Sequence, residues 1–459
     1  EIIVKNTDKN LGCALISNDW YVKECYRQLN DPTTYRPISS SVEKMNIKFN
    51  LNWHPFRTHT TWMTKFIRHS ISQDKMIPNF YIIPKIHKPV VVGRPIVAGH
   101  SFHTTPWSSL LCHWLQPVAE KFTTVLKDSI SLIRDLETKR FNNRQRLTLV
   151  TADVTSLYPS LQIPQVIEHT MSATRRHYKH DWPRDMFVLI EKMLKHVLDN
   201  GYTQFDGRHF LQTTGLAMGT PSAPTLANIT LALVDNNFVT DHRNILFFKR
   251  YIDDIFCVVQ ANPEDSNALI SRIYTDMQLK VTCNTSVNSV EFLDIVIHKG
   301  TRWLTEGKFD LCTHQKKLNL YGYMPFRSAH PIHTKRGFIT GELLRYIATN
   351  TDERKFKQLR KRFYFRLLAR GYPHTFLLPI FARTRYSERS NRLFKKRESK
   401  PVNSVIFSPE FHPIWEQPLA KSQLLEALCD QPPQVQHIVG NIHKPLIAFK
   451  KTQTLGNIL

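Results

Sequence analysis

Apolar residues along this chain fall into short runs, some with the alternation of strands and some with the spacing of helices. Phe80-Tyr81-Ile82-Ile83-Pro84-Lys85 and Gly93-Arg94-Pro95-Ile96-Val97-Ala98-Gly99 are two β-rich runs parted by a basic turn, which predicts a hairpin with cations at its tip. Leu147 to Ala152 reads as a buried strand that ends on Asp153, and Met186 to Leu198 carries apolar residues at helical spacing, followed by a strand-rich patch from Tyr202 to Leu211. Leu246-Phe247-Phe248 and Ile255-Phe256-Cys257-Val258-Val259 flank Tyr251-Ile252-Asp253-Asp254, predicting two buried strands joined by a tight acidic turn. Phe292-Leu293-Asp294, between Val281 and Ile295-Val296-Ile297, predicts a strand pair near a sheet edge. From Arg354 to Arg370, Phe356, Leu359, Phe363 and Leu367 recur at helical spacing among many cations, which predicts an amphipathic helix with one basic face. The cluster from Arg383 to Arg397 lacks such periodicity and reads as a flexible basic linker, while the prolines between Pro401 and Pro433 predict a loosely structured end. The first 52 residues say little beyond a turn or helix start at Asp31-Pro32-Thr33-Thr34.

The acidic turn carries the most chemistry. Two adjacent carboxylates between apolar strands are costly unless a cation neutralises them, although Asp also favours ordinary exposed turns. Nucleotidyl transfer uses two divalent ions about 3.5 to 4 Å apart, held by carboxylates from two backbone segments. Asp153, Asp253 and Asp254 provide that set if their strands are neighbours in an antiparallel sheet. Tyr158 stands where a bulky ring can lie beneath an incoming sugar and exclude a 2′-hydroxyl, though by itself it reads first as a core aromatic. The stretch Gly215-Leu216-Ala217-Met218-Gly219-Thr220-Pro221-Ser222-Ala223-Pro224 offers a surface free of bulky side chains, followed by a helix start. Lys85, Lys88 and Arg94 can fold over a triphosphate, or be a solvated basic turn.

Composition narrows the partner. The 459 residues hold 62 Lys plus Arg against 38 Asp plus Glu, a net charge of +24 that favours a polyanion. An anionic membrane surface would attract the same charge. No apolar run approaches the roughly 18 to 20 residues that span a bilayer, so an integral membrane protein is not expected and no membrane is counted among the partners. Seven scattered cysteines without a Cys-x-x-Cys pair imply neither a disulfide framework nor a zinc knuckle and fit a reducing, intracellular compartment. A start at Glu1 is read as a segment of a longer product.

The order of basic hairpin, Asp153, glycine loop and acidic turn resembles the reverse transcriptase family over roughly residues 80 to 300. Thr7-Asp8-Lys9-Asn10-Leu11-Gly12, Met218-Gly219-Thr220-Pro221, Val290-Glu291-Phe292-Leu293-Asp294, Ser328-Ala329-His330-Pro331 and Leu368-Ala369-Arg370-Gly371-Tyr372-Pro373 are similar to Penelope-like retroelements, relatives of telomerase catalytic subunits. The resemblance implies an α+β right-hand polymerase with an antiparallel-sheet palm, a fingers hairpin and a helical thumb. Its divisions would be an N-terminal extension (1–52), fingers (53–150), palm with part of the fingers inserted (151–300), thumb (301–380), and a basic linker with a C-terminal extension (381–459).

The same resemblance implies that Asp153, Asp253 and Asp254 bind two Mg²⁺ ions, with Mn²⁺ as a substitute. Lys85, Arg94, Tyr158, Met218, Gly219, Pro224 and Asn228 would contact the nucleotide, and Met218 stands where many retroviral members carry a Gln. Phe292, Leu293 and Asp294 would form a primer grip, and Lys357, Arg360, Lys361, Arg366 and Arg370 would hold the nucleic-acid backbone. The expected partners are an RNA template, a DNA primer or target DNA, and deoxynucleoside triphosphates. The expected place is the nucleus and the expected priming is at the target. An RNA-dependent RNA polymerase and a non-catalytic RNA-binding scaffold are the rival readings.

Overall fold

A computed structural model describes residues 1–38, 77–100, 102–316 and 319–394, together with two short strands at 406–407 and 446–447. The chain divides into two compact units, the first holding residues 1–310 and 314–320 and the second the remainder.

The centre of the first unit is a four-stranded antiparallel sheet in the order β11 (Val281–Ser286), β6 (Thr148–Val154), β10 (Asp254–Val259), β9 (Ile245–Tyr251). After Asp254, β10 is an unbroken apolar run because both of its faces are covered. Ile255, Cys257 and Val259 join a core with helices Thr105–Ala119 (α2), Ile163–His177 (α5), Arg184–Asp199 (α6) and Ala223–Asp241 (α7). On the other face Phe256 meets Phe247 and Phe292, the last from the hairpin of β12 (Ser289–Phe292) and β13 (Ile295–His298).

The predicted basic hairpin forms as β4 (Phe80–Lys85) and β5 (Val92–Val97), and the Tyr202–Leu211 patch is the hairpin β7 (Tyr202–Phe205) and β8 (Arg208–Gln212). The described residues of the expected N-terminal extension pack within the first unit. After the hairpin β1 (Ile2–Asn6) and β2 (Cys13–Ser17), helix α1 (Asn18–Leu29) buries Tyr21, Cys25 and Leu29 with Phe80, Ile82 and Val97 of the β4–β5 hairpin. β3 (Tyr35–Ile38) then pairs with β8. The turn between α1 and β3 is built by Asp31, whose carboxylate accepts from Thr33 and Thr34. Residues 53–76 of the expected fingers lie outside the described residues.

The residues just after 301, where the thumb is expected to begin, lie in the first unit. Trp303, in helix α9 (Thr301–Glu306), and Phe309 stack and pack on Phe141, which anchors this segment in the first unit.

The second unit is helical: Ile332–Thr349 (α10), Glu353–Ala369 (α11) and His374–Ala382 (α12) bury one apolar face each around Tyr346, Phe356, Phe363 and Phe381. Asp352 caps α11 by accepting the Arg354 N–H at 2.8 Å, and Gly371 at φ 82° ends it before Pro373 opens α12. The expected linker is partly helical: Arg389–Phe394 buries Leu393, and Arg389 donates to the Ala348 carbonyl at 3.1 Å. Lys395 to Arg397 lie outside the described residues. Strands Ile406–Phe407 and Leu446–Ile447, within the stretch expected to be loose, pair in parallel. Among the described residues all cysteines are free, and no helix is long and apolar enough to cross a membrane.

Candidate active site

β9 and β10 pair through Tyr251 opposite Asp254, leaving Ile252 and Asp253 as a two-residue turn. Ile252 takes φ 58°, the left-handed region that a β-branched residue seldom enters. Across the ladder Asp254 stands opposite Asp153 on β6, so these two carboxylates leave the same face of the sheet, at about 4.5 to 5.5 Å between Cβ atoms for such a pair. The Val154 N–H donates to the Asp253 carbonyl at 3.0 Å, which carries the β6–β10 pairing into the turn. The structure therefore brings together all three predicted acids.

They repel one another. Burial, with added repulsion from Asp253 and Asp153, pushes the Asp254 carboxyl up to about 6. Burial and Asp253 also raise Asp153, opposed by Lys88, Lys9 and Lys85. Among the described residues no three His, Cys, Asp or Glu side chains are already drawn together as a metal cage. Instead the chain offers adjacent carboxylates, of which Asp153 and Asp254 have their ionisation held back by burial and by neighbouring acids. Hard oxygen donors with excess negative charge fit Mg²⁺, which keeps several waters and needs few protein ligands.

The cations facing this trio come from three places. Burial pulls the Lys85 ammonium down, and Arg94 and Lys88 add to that. Arg94 is an ion-pair partner of Asp8 at 3.3 Å, so its charge is shared with the N-terminal 3₁₀ turn Asp8–Asn10. That turn presents Lys9, itself at φ 62°, whose charge acts on both Asp153 and Asp254, and Lys316 also acts on Asp254. Neither Lys9 nor Lys316 was singled out as a site residue from the sequence. In the sequence, the stretch Thr7-Asp8-Lys9-Asn10-Leu11-Gly12 is the local signal that marks the first.

The glycine loop joins the hairpin to the Tyr158 turn. A Cβ on Gly215, at φ 81°, would meet the backbone of Tyr158 and Pro159 at 2.5 to 2.6 Å, and one on Gly219, at φ 127°, would meet the Val97 carbonyl at 2.0 Å. The Met218 carbonyl accepts the Val97 N–H at 2.8 Å. Pro224 lies in the first turn of α7, where its missing N–H is harmless, and is exposed. Tyr158 is half-buried against the core; burial, with repulsion from Asp253 and Tyr251, lifts its phenol to about 12, so it stays neutral beside the acidic turn.

Several expected residues are engaged elsewhere. Asn228 is turned to Arg250: its Oδ1 accepts Arg250 Nη1 and its carbonyl accepts Nη2, both at 3.0 Å. Phe292 is only 4% exposed and packs on Phe256, so it is a core residue and cannot touch a primer; Leu293 and Asp294 form the half-buried turn after it. On α11, Lys357 and Lys361 are exposed, as is Arg370 just beyond. Arg360 instead donates to the Phe381 carbonyl at 2.8 Å, and Arg366 lies 3.4 Å from the Tyr321 ring centroid. These two face their own unit.

The family model for the animal helix-turn-helix domain matches residues 322–381, within the second unit. No curated protein sequence matches the chain. In structure it is similar to telomerase from Candida albicans in complex with a TWJ fragment of telomeric RNA, at 10% identity and TM-score 0.49, over 86% of this chain and 70% of that one. It is similar to apo telomerase from Candida tropicalis at 10% identity and TM-score 0.46, over 77% of this chain and 61% of that one. It is also similar to BmCPV RNA-dependent RNA polymerase at elongation state, at 12% identity and TM-score 0.44, over 78% of this chain and 34% of that one. The chain thus spans less than two thirds of the latter two.

Proposed function

We propose that this chain is an RNA-directed DNA polymerase of a Penelope-like retroelement, working in the nucleus by extending a target-primed DNA 3′-hydroxyl along an RNA template. The observation that carries the reading is Asp254 facing Asp153 across β10 and β6, with Asp253 in the adjoining turn. Asp153, Asp253 and Asp254 would hold two Mg²⁺ ions, or Mn²⁺ in their place. Bound there, such ions supply activation of the primer hydroxyl and neutralisation of the departing pyrophosphate.

The chain's own residues do the rest. Lys85, Arg94 and Lys9 present cations to the triphosphate of the incoming deoxynucleotide, where charge-assisted bonds orient it. The surface of Met218 and Gly219 admits the base pair close to the backbone. The Tyr158 ring, rigidly backed by the core, occupies the space of a ribose 2′-hydroxyl and selects deoxynucleotides by exclusion. Leu293 and Asp294 would guide the primer, and Lys357, Lys361 and Arg370 would meet the phosphates of the duplex.

Primer extension on matched RNA and DNA templates with Mg²⁺, beside Asp253→Ala, tests this. Wild-type extension on RNA and none by the variant is expected. No extension by wild type, or extension retained by Asp253→Ala, overturns it. Extension that prefers ribonucleotides moves the protein to the RNA-dependent RNA polymerases.

A further inference from the structure

Arg250 is the residue before Tyr251, and it is wholly buried. Its guanidinium makes four hydrogen bonds. Nε donates to Asp235 Oδ2 at 2.7 Å, Nη1 donates to Asn228 Oδ1 at 3.0 Å and to the Ile252 carbonyl at 2.9 Å, and Nη2 donates to the Asn228 carbonyl at 3.0 Å. The other oxygen of Asp235 accepts the Tyr274 hydroxyl. Its backbone is held as firmly, since the Arg250 N–H donates to the Thr124 carbonyl and its own carbonyl accepts the Leu126 N–H, both at 2.8 Å.

A buried ion pair is by itself weak evidence of purpose, because apolar residues of the same volume would serve stability as well. What sets this one apart is the bond to Ile252. That carbonyl belongs to the left-handed residue of the acidic turn, a backbone conformation that persists only where its surroundings impose it. A planar guanidinium reaches Asp235, Asn228 and Ile252 at once, whereas an ammonium on a flexible stem cannot.

We infer that Arg250 is the positioning residue of the carboxylate centre: Asp235 and Tyr274 aim its fork, Asn228 braces it, and its bond to Ile252 sets where Asp253 and Asp254 stand. Asn228 thereby serves the centre through Arg250 and not by touching the nucleotide. The catalytic consequence rests on the polymerase reading. The structural consequence, an ordered cation site, does not.

The test uses the full chain with Arg250→Lys and Asn228→Ala, folding checked by circular dichroism. Mn²⁺ binding is read by electron paramagnetic resonance, and primer extension gives kcat and nucleotide KM separately. Partners that orient metal ligands are worth about 10 to 100-fold in metal affinity or activity, so Arg250→Lys is expected to weaken Mn²⁺ binding about tenfold and to lower kcat by up to about 100-fold at unchanged KM. Asn228→Ala, which keeps the Asp235 pair, is expected to lower kcat about 3 to 10-fold with KM unchanged, on the same scale. Wild-type Mn²⁺ affinity and kcat in Arg250→Lys overturn the inference, as does an Asn228→Ala that raises KM at unchanged kcat. If Arg250→Lys does not fold, Asn228→Ala decides alone. A wild type that binds Mn²⁺ without extending a primer sinks the polymerase reading, while weaker Mn²⁺ binding in Arg250→Lys would still uphold the positioning. A wild type that binds no Mn²⁺ overturns both.

Discussion

Glu24 of α1 accepts the backbone N–H of Gly93 in β5 at 2.9 Å, tying the N-terminal helix to the hairpin that carries Lys85 and Arg94. Gln28 closes the link by donating to the Gly93 carbonyl at 2.9 Å. Burial alone would raise the Glu24 carboxyl, but the Arg27 guanidinium, the Gly93 N–H and the Gln28 amide outweigh it and hold it at about 2. A carboxyl lowered from the ordinary 4.5 contributes stability that is present above that value and lost as pH falls toward about 2. The contribution at neutral pH is about 1 to 3 kcal/mol, since Arg27 is largely exposed and screened. Urea unfolding at pH 7, 4 and 3 should show wild type losing its advantage over Glu24→Gln across this window. Parallel curves at every pH would contradict the assignment.

Gly219→Ala and Gly207→Ala separate close approach from backbone freedom. Both glycines have positive φ, 127° and 71°, but a Cβ at 207 meets nothing within 4 Å whereas one at 219 runs into the Val97 carbonyl. Gly207→Ala should cost only the strain of its conformation, about 1 kcal/mol. Gly219→Ala must part the loop from β5, and a loss of about 3 kcal/mol or more is expected by thermal unfolding, with faster proteolysis between residues 85 and 99. Equal costs at the two positions would refute the close approach.

Phe292→Ala probes a residue that sequence placed in the primer grip and structure places in the core. Removing a ring this deeply buried should destabilise the first unit by about 3 to 5 kcal/mol, measured by chemical denaturation. A stable variant with a selective defect in primer affinity would restore the grip.

Lys9→Ala removes a cation that acts on Asp153 and Asp254 from an exposed turn outside the core. Nucleotide KM is expected to rise about 3 to 10-fold, up to roughly 1.4 kcal/mol of binding, with melting temperature unchanged. Steady-state extension against nucleotide concentration reads it; an effect on stability alone would deny Lys9 a place at the site.

The α11 cations should also divide. Neutralising Lys357, Lys361 and Arg370 together is expected to flatten the salt dependence of duplex binding by up to about 0.9 for each phosphate they had neutralised. Arg360→Ala should leave that slope unchanged and destabilise the helical unit, because its guanidinium serves the Phe381 carbonyl. Binding titrations from low to high salt distinguish the two.

Local pattern made much of this molecule legible. The apolar run of β10, the acid at the end of β6 and the glycines at 215 and 219 each announce a constraint that holds within a few residues. What stayed hidden depends on distant partners. Arg250 looks like a surface cation until Asp235 and Asn228 of α7 are brought beside it. The first 38 residues seem featureless because their strands and helix gain their apolar cover from β4, β5 and β8. Phe292 misled for the same reason, its partner Phe256 lying on another strand.

The facing of Asp153 and Asp254 has a consequence for how this chain can change in length. Side-chain direction in a strand reverses at every residue, so one residue added between Leu149 and Asp153, or between Asp254 and Val258, would send a carboxylate to the opposite side of the sheet. The centre is written in parity. Its two short strands can exchange residues but not gain or lose an odd number, while the exposed turns between them carry no such arithmetic and are where insertions can accumulate without scattering the acids.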